Sequence, residues 1–285
     1  MPDSVRQKRV ITIQDISCVG RCSLTVALPV LSAAGLETAI LPTAILSTHT
    51  GGFEGYTFRD LSEDIEPICR HWKSLGLGTD ALYTGYLGSE QQQAQILQVF
   101  ADFKGPQTLV FVDPAMADNG ELYPAFDLKF ARGMRAVVAA ADLTAPNITE
   151  ACLLLGRDYP GDDYDQAFVQ EVLRGLCELG PTAAVLTGVS FQRGCLGAAA
   201  FEEASGEFSY YFTEQIDGYY HGTGDIYSSV LLAAVLNGQP LAAAIRTACE
   251  FTVGAIRRTH AAGTEPRYGV DFEHELGNLI SMLGL

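Results

Sequence analysis

Short β-branched runs alternate with amphipathic helical segments along nearly the whole chain, and this alternation constrains the fold more than any other feature. Residues 9–14, 38–41, 44–47, 80–84, 108–112, 143–145 and 183–187 read as strands. Stretches with apolar residues at helical spacing separate most of them, at 22–34, 61–75, 90–103, 126–140 and 165–179. Strands joined through helices pair in parallel, and a parallel sheet must be covered on both faces. The expected fold is therefore α/β, a three-layer α/β/α sandwich with a mostly parallel central sheet. Pro42 splits the second and third strands, and 53–60 reads as an irregular aromatic stretch suited to cover a ligand. Residues 196–201 and 208–212 read as an antiparallel hairpin, and helices at 241–260 and 272–283 close the chain. No linker or repeat divides the 285 residues, so 1–285 is expected to be a single domain.

Charge removes several classes of function. A formal net charge of −16 disfavours nucleic acid and anionic membrane as partners. Apolar runs are too short to span a bilayer, and residues 1–10 lack a signal-like apolar segment, so the expected location is cytoplasmic. The seven cysteines form neither a disulfide framework nor a zinc pattern, which suits a reducing compartment. An anionic ligand would need local help from backbone N–H groups and a divalent cation.

The segment His221-Gly222-Thr223-Gly224-Asp225 precedes the apolar run 230–236 and supplies that kind of help. Glycines let the backbone turn sharply and approach a ligand, and a helix start offers unpaired N–H groups to an anion. A carboxylate at the same place can accept a proton from a hydroxyl. Together they suit phosphoryl transfer to an alcohol, although Asp225 equally suits a plain N-cap.

Other polar residues fall just after strands or at helix starts, where open α/β sheets bind ligands. Asp15, His49, Thr50, Tyr86, Asp113, Asp118, Asn147, Glu150, Thr187 and Gly188 are of this kind. Several have a structural alternative. Asp15 can cap its turn, His49 and Thr50 can be satisfied within their loop, and Asn147-x-x-Glu150 alone reads as a capping box. Asp113, Asn147 and Glu150 also form a sparse oxygen set of the sort magnesium uses while keeping several waters.

Taken in order, these motifs resemble the ribokinase-like superfamily and, within it, the pyridoxal (vitamin B6) kinases. The resemblance runs from Ile11-Thr12-Ile13-Gln14 to the helix after Gly222-Thr223-Gly224-Asp225, through His49-Thr50, Gly85-Tyr86-Leu87-Gly88, Asp113-Pro114-Ala115-Met116 with Asp118, and Ala145-Pro146-Asn147 with Glu150. It implies ATP-dependent phosphorylation of the 5′-hydroxymethyl group of pyridoxal, pyridoxine or pyridoxamine. It implies Asp225 as base, with Gly222, Thr223 and Gly224 as the anion hole. By the same resemblance Asp113, Asn147 and Glu150 hold the magnesium–phosphate network, with Asp113 and Glu150 acting through water. Thr187, Gly188, Thr223 and Asp118 would contact the nucleotide, and His49, Thr50 and Tyr86 would frame the ring. A homodimer and a monovalent cation such as K+ are further implications. Two departures bear on vitamer choice: Asp15 stands where the family commonly has Ser, and Cys22 and Leu46 stand where differently shaped ring neighbours lie. The rival readings are a kinase for hydroxymethylpyrimidine or another small alcohol, and a non-catalytic pyridoxal phosphate-binding protein.

Overall fold

The structure is a computed structural model and describes residues 6–285, so the expectation drawn from residues 1–10 lies partly outside it. Its first half runs β1 (Arg9–Ser17), α1 (Leu24–Ala33), β2 (Glu37–Leu46), β3 (Phe58–Asp60), α2 (Ser62–Ser74), β4 (Ala81–Thr84), α3 (Glu90–Phe103) and β5 (Leu109–Val112). A small hairpin follows, β6 (Ala117–Asp118) and β7 (Glu121–Leu122), then α4 (Leu128–Ala139), β8 (Leu143–Thr144), α5 (Ile148–Leu155) and α6 (Gln166–Leu179). The chain ends with β9 (Ala183–Val189), β10 (Cys195–Glu202), β11 (Glu207–Glu214), α7 (Thr223–Leu236), α8 (Leu241–Ala262) and α9 (Leu276–Leu283).

One sheet orders its strands β11-β10-β9-β8-β5-β4-β1-β2-β3. The run from β2 to β9 is parallel, and antiparallel strands flank it at both edges. Alternation along each central strand feeds two cores. Ile11, Ile13, Leu82, Val110 and Val112 face α2 to α6, whereas Val10, Ala81, Tyr83 and Phe111 face α1, α7, α8 and α9. Burying each such large apolar side chain contributes about 1.5–3 kcal/mol. The expected sandwich is thus present.

Four expectations about elements change. Pro42 does not split β2; the strand runs through it, and the β1–β2 register shifts between Gln14 and Ile16, next to the Gln14–Pro42 pair. A proline has no N–H to give the ladder, so an irregularity there is the usual accommodation. The stretch 53–60 is not wholly irregular, because Phe58–Asp60 pairs antiparallel with Ala44–Leu46 as an edge strand. Helix α1 begins at Leu24 rather than Cys22, since Ser23 holds φ 53° and ψ −129° and cannot continue a helix backwards. The final helix is regular only from Leu276, after a short 3-10 turn at Glu273–Glu275.

Candidate functional site

Carboxyl ends of parallel strands all open on one edge of the sheet, and the singled-out residues stand along it. Asp15 lies inside β1 rather than after it, because the strand continues to Ser17 through the register shift between Gln14 and Ile16; His49 and Thr50 follow β2, Tyr86 follows β4, and Asp113 directly follows β5. Asn147 and Glu150 begin α5 after β8. Thr187 and Gly188 lie inside β9 rather than beyond it, with Thr187 N–H donating to the Pro146 carbonyl at 2.9 Å. That bond and an isolated bridge to Asn147 bring β9 beside the start of α5.

The 222–225 segment forms the first turn of α7. Gly222 is its N-cap at φ +74°, and Asp225 is the third helical residue, so Asp225 is not the cap. Gly222 has to be glycine: a Cβ there would lie 1.9 Å from the Arg21 carbonyl oxygen and 3.2 Å from Cys22 Sγ. The same clash shows that the turn leading into α1 is wedged beneath the α7 start. A Cβ on Gly224 would meet nothing within 4 Å, so that backbone faces open space. Open space at the first N–H groups of a helix is what an anion requires.

Acidic side chains gather behind this opening. Asp15, Asp113 and Glu150 are 4%, 7% and 2% exposed, yet no ion pair among the described residues reaches them or Asp225. Burial raises the pKa of all four carboxyls. Asp225 is pushed up to about 7, mainly by burial, with the Ser23 N–H opposing and the charges of Asp113 and Asp15 adding. Glu150 is raised by burial and then by the charge of Asp113. Asp113 accepts from Ser228 Oγ at 2.7 Å and from the Ala115 N–H at 3.2 Å.

Asn147 and Glu150 do form a capping box. Asn147 Oδ1 accepts from the Glu150 N–H at 2.9 Å, and Glu150 Oε2 accepts from the Asn147 N–H at 2.9 Å. Glu150 Oε1 also accepts from the Met116 N–H at 2.8 Å, and Asn147 Nδ2 donates to the Ala117 carbonyl at 2.7 Å. No group of three His, Cys, Asp or Glu among the described residues is arranged to hold a metal directly. Asp113 and Glu150 are two uncompensated acids with some acceptor capacity left, and such a pair fits a divalent cation reached through water.

Several assigned residues are committed within the protein. Both ring nitrogens of His49 are bonded, Nδ1 to the Gly51 N–H at 3.2 Å and Nε2 to the Arg267 carbonyl at 2.6 Å. Tyr86 packs against Phe126 with ring centroids 5.4 Å apart, and burial lifts its hydroxyl to about 12. Asp118 accepts from Asn119 and, at 3.2 Å, from the Tyr219 hydroxyl. Leu46 and Cys22 are buried, Cys22 close enough to Asp225 and Asp15 for both charges to raise its thiol pKa further beyond the effect of burial. Thr50 and Thr223 are half-buried, and the Thr223 hydroxyl donates to the Tyr220 carbonyl.

Sequence reasoning missed Ser23, Tyr219 and Ser228, and took His221 only as the start of its motif. Only Ser228 carried a signal, its position three residues after Asp225 on one helix face. A groove of about 640 Å³ between α2 and α3, lined by residues such as Ile65, Cys69, Gln95 and Val99, holds none of these groups. No helix among the described residues is long and apolar enough to cross a membrane.

Comparison with known proteins adds a family and three relatives. The family model described as phosphomethylpyrimidine kinase matches residues 28–269. A pyridoxine/pyridoxal/pyridoxamine kinase of Bordetella avium is 29% identical over 264 residues, covering 89% of this chain and 86% of the relative. Pyridoxal kinase from Lactobacillus plantarum has a TM-score of 0.89 at 33% identity, over 96% of this chain and 97% of that one. A candidate phosphomethylpyrimidine kinase of Bacteroides thetaiotaomicron, in a crystal form with pyridoxal, has a TM-score of 0.92 at 34% identity, over 96% of both chains.

Proposed function

The chain belongs to the phosphomethylpyrimidine kinase family, and we propose that it transfers the γ-phosphoryl group of ATP to the 5′-hydroxymethyl group of a B6 vitamer. The observation that carries this reading is Asp225: a carboxylate with its pKa lifted to about 7, in the open first turn of α7. Similarity to pyridoxal kinases over nearly the whole chain supports the vitamer as acceptor.

Phosphoryl transfer asks the protein chiefly for positioning and charge stabilisation. Asp225 takes the proton of the substrate hydroxyl as its oxygen attacks, which a carboxylate near neutrality does well. The backbone N–H groups of Thr223, Gly224 and Asp225 neutralise charge growing on the transferred group. Asp113 and Glu150, steadied by Ser228 and the capping box, would hold a Mg2+ through water, and the ion would supply charge neutralisation at the phosphates. Thr187, Gly188 and Asp118 border the nucleotide, and Asp15, Cys22, Leu46, Thr50 and Tyr86 border the vitamer ring. A cytoplasmic homodimer belongs to the same reading, and the exposed Val19, Ile45, Tyr56 and Phe58 around the β3 edge supply apolar surface for it.

A second reading, hydroxymethylpyrimidine as the acceptor, is supported by the description of the matching family and by the name of the Bacteroides neighbour. ATP turnover with Mg2+, offering pyridoxal, pyridoxine, pyridoxamine and hydroxymethylpyrimidine separately, decides between them. Turnover with the pyrimidine alone would replace the substrate while keeping the mechanism. No turnover with any of them would overturn the proposal.

A further inference from the structure

The His49 ring stands where four segments meet, and its chemistry is spent on holding them together. Gly51 N–H donates to Nδ1, which leaves the ring proton on Nε2 for the Arg267 carbonyl, 218 residues away in sequence. A Cβ on Gly20 would stand 3.0 Å from the ring's Cδ2, so the turn before α1 packs on it as well. Phe53 meets His49 edge-on at 5.0 Å and Tyr268 at 5.2 Å, and the Arg267 guanidinium lies 5.2 Å and 5.4 Å from those two aromatic centroids. The fourth contact is His221, whose ring centroid is 5.0 Å from that of His49. His221 also fills the space beside Gly51, where a Cβ would fall 2.6 Å from its ring, and it directly precedes Gly222. Burial lowers the pKa of both imidazoles, consistent with a neutral ring that can accept at Nδ1.

We propose that His49 is a positioning residue and not a vitamer ligand: it clamps the loop after β2 onto residues 266–269 and, through His221, fixes the backbone of the 222–225 turn. This rests on the proposed role of that turn. The clamp couples the loop that would border the acceptor ring to the turn that would receive the phosphate, so one side cannot shift alone.

The test uses His49→Ala, His49→Gln and His221→Ala in the full chain, and the double variant His49→Ala/His221→Ala. Gln can place its amide nitrogen near the Arg267 carbonyl, whereas Ala cannot. Misplacement of a reacting group by about 1 Å costs up to about 100-fold in rate, so His49→Ala should lower kcat about 10- to 100-fold at unchanged KM for ATP. His49→Gln should recover part of that loss, and the double variant should be little worse than the poorer single one. A raised vitamer KM with full kcat, or losses that multiply in the double variant, would overturn the proposal. Hydrogen exchange on the ligand-free proteins gives a second reading independent of turnover. His49→Ala and His49→Gln should both be compared with the wild type, and Ala should speed exchange of the hydrogen-bonded 226–229 amides while leaving β4 and β5 unchanged. Unaltered exchange at 226–229 would overturn the clamp even if the wild type phosphorylates a vitamer. Conversely, a wild type inactive on every vitamer would sink the functional reading and leave the exchange result to decide the clamp.

Discussion

The hydroxyl of Ser228 donates to Asp113 Oδ2 at 2.7 Å, joining the helix that begins with the 222–225 turn to the carboxyl end of β5. Ser228 is three residues after Asp225, so both project from one face of α7 toward the same acid. The proposed base and the proposed phosphate-side acid are therefore set by one rigid element.

If Asp225 is the base, Asp225→Ala should lower kcat by at least about 100-fold, the lower range for losing a positioned general base. ATP should still bind, because the N–H groups of the turn remain. Near-normal turnover in this variant would remove Asp225 from the mechanism.

The pH profile follows from the same geometry. Asp225 is competent only when ionised, so kcat/KM should rise with pH through about 7 and then level off. Ser228→Ala deletes a bond that lowers the Asp113 pKa, so Asp113 is protonated over a wider range. An uncharged Asp113 repels Asp225 less, and the acid limb should move to lower pH. A limb that stays put or moves upward would show that the two acids are not coupled through Ser228.

Much of this site was legible because topology does the placing. Once strands 9–14, 108–112 and 143–145 are read as parallel, Asp15, Asp113 and Asn147 must emerge on one edge. What escaped was of two kinds. Strand β3 has three exposed residues, too short for any periodicity to register. The bonds of His49 to Arg267 and of Asp113 to Ser228 join residues 218 and 115 positions apart, and local pattern carries no trace of them. Glu150 is the mixed case. Its capping box was readable from spacing, but spacing did not say that the box would leave its carboxyl buried beside Asp113.

Burial of these acids makes stability depend on pH. Asp15, Asp113, Glu150 and Asp225 all have folded pKa values above their ordinary ones, so the native state binds more protons than the unfolded chain. Their contribution is complete below about pH 4 and is lost as pH rises through the folded values. For the ligand-free protein, this contribution should lower Tm between about pH 5 and 8, and Glu150→Gln should flatten the slope. The Gln oxygen can still accept from Met116, so the variant should fold. Mg2+ should raise Tm more at the higher pH, and an equal rise at both would argue against a cation near Asp113 and Glu150.

Asp15 is the residue on which vitamer choice should turn. It is 4% exposed, burial raises its pKa against the hydroxyls of Ser23 and Ser17 (the latter donating at 3.1 Å), and no ion pair among the described residues reaches it. A buried carboxylate without a counter-charge is costly unless something positive arrives with the ligand. Pyridoxamine brings an ammonium group, and any vitamer can bring a protonated ring nitrogen. Asp15→Ser should therefore keep activity but reduce kcat/KM for pyridoxamine relative to pyridoxal. A hydrogen bond to a charged group is worth about 1.5–3 kcal/mol, which corresponds to a change in that ratio of about 10- to 100-fold. A fall shared equally by all three vitamers would point to the ring nitrogen as the partner. Unchanged activity and ratios in both forms would mean that Asp15 does not touch the ring, and its raised pKa would then reflect burial within the turn alone.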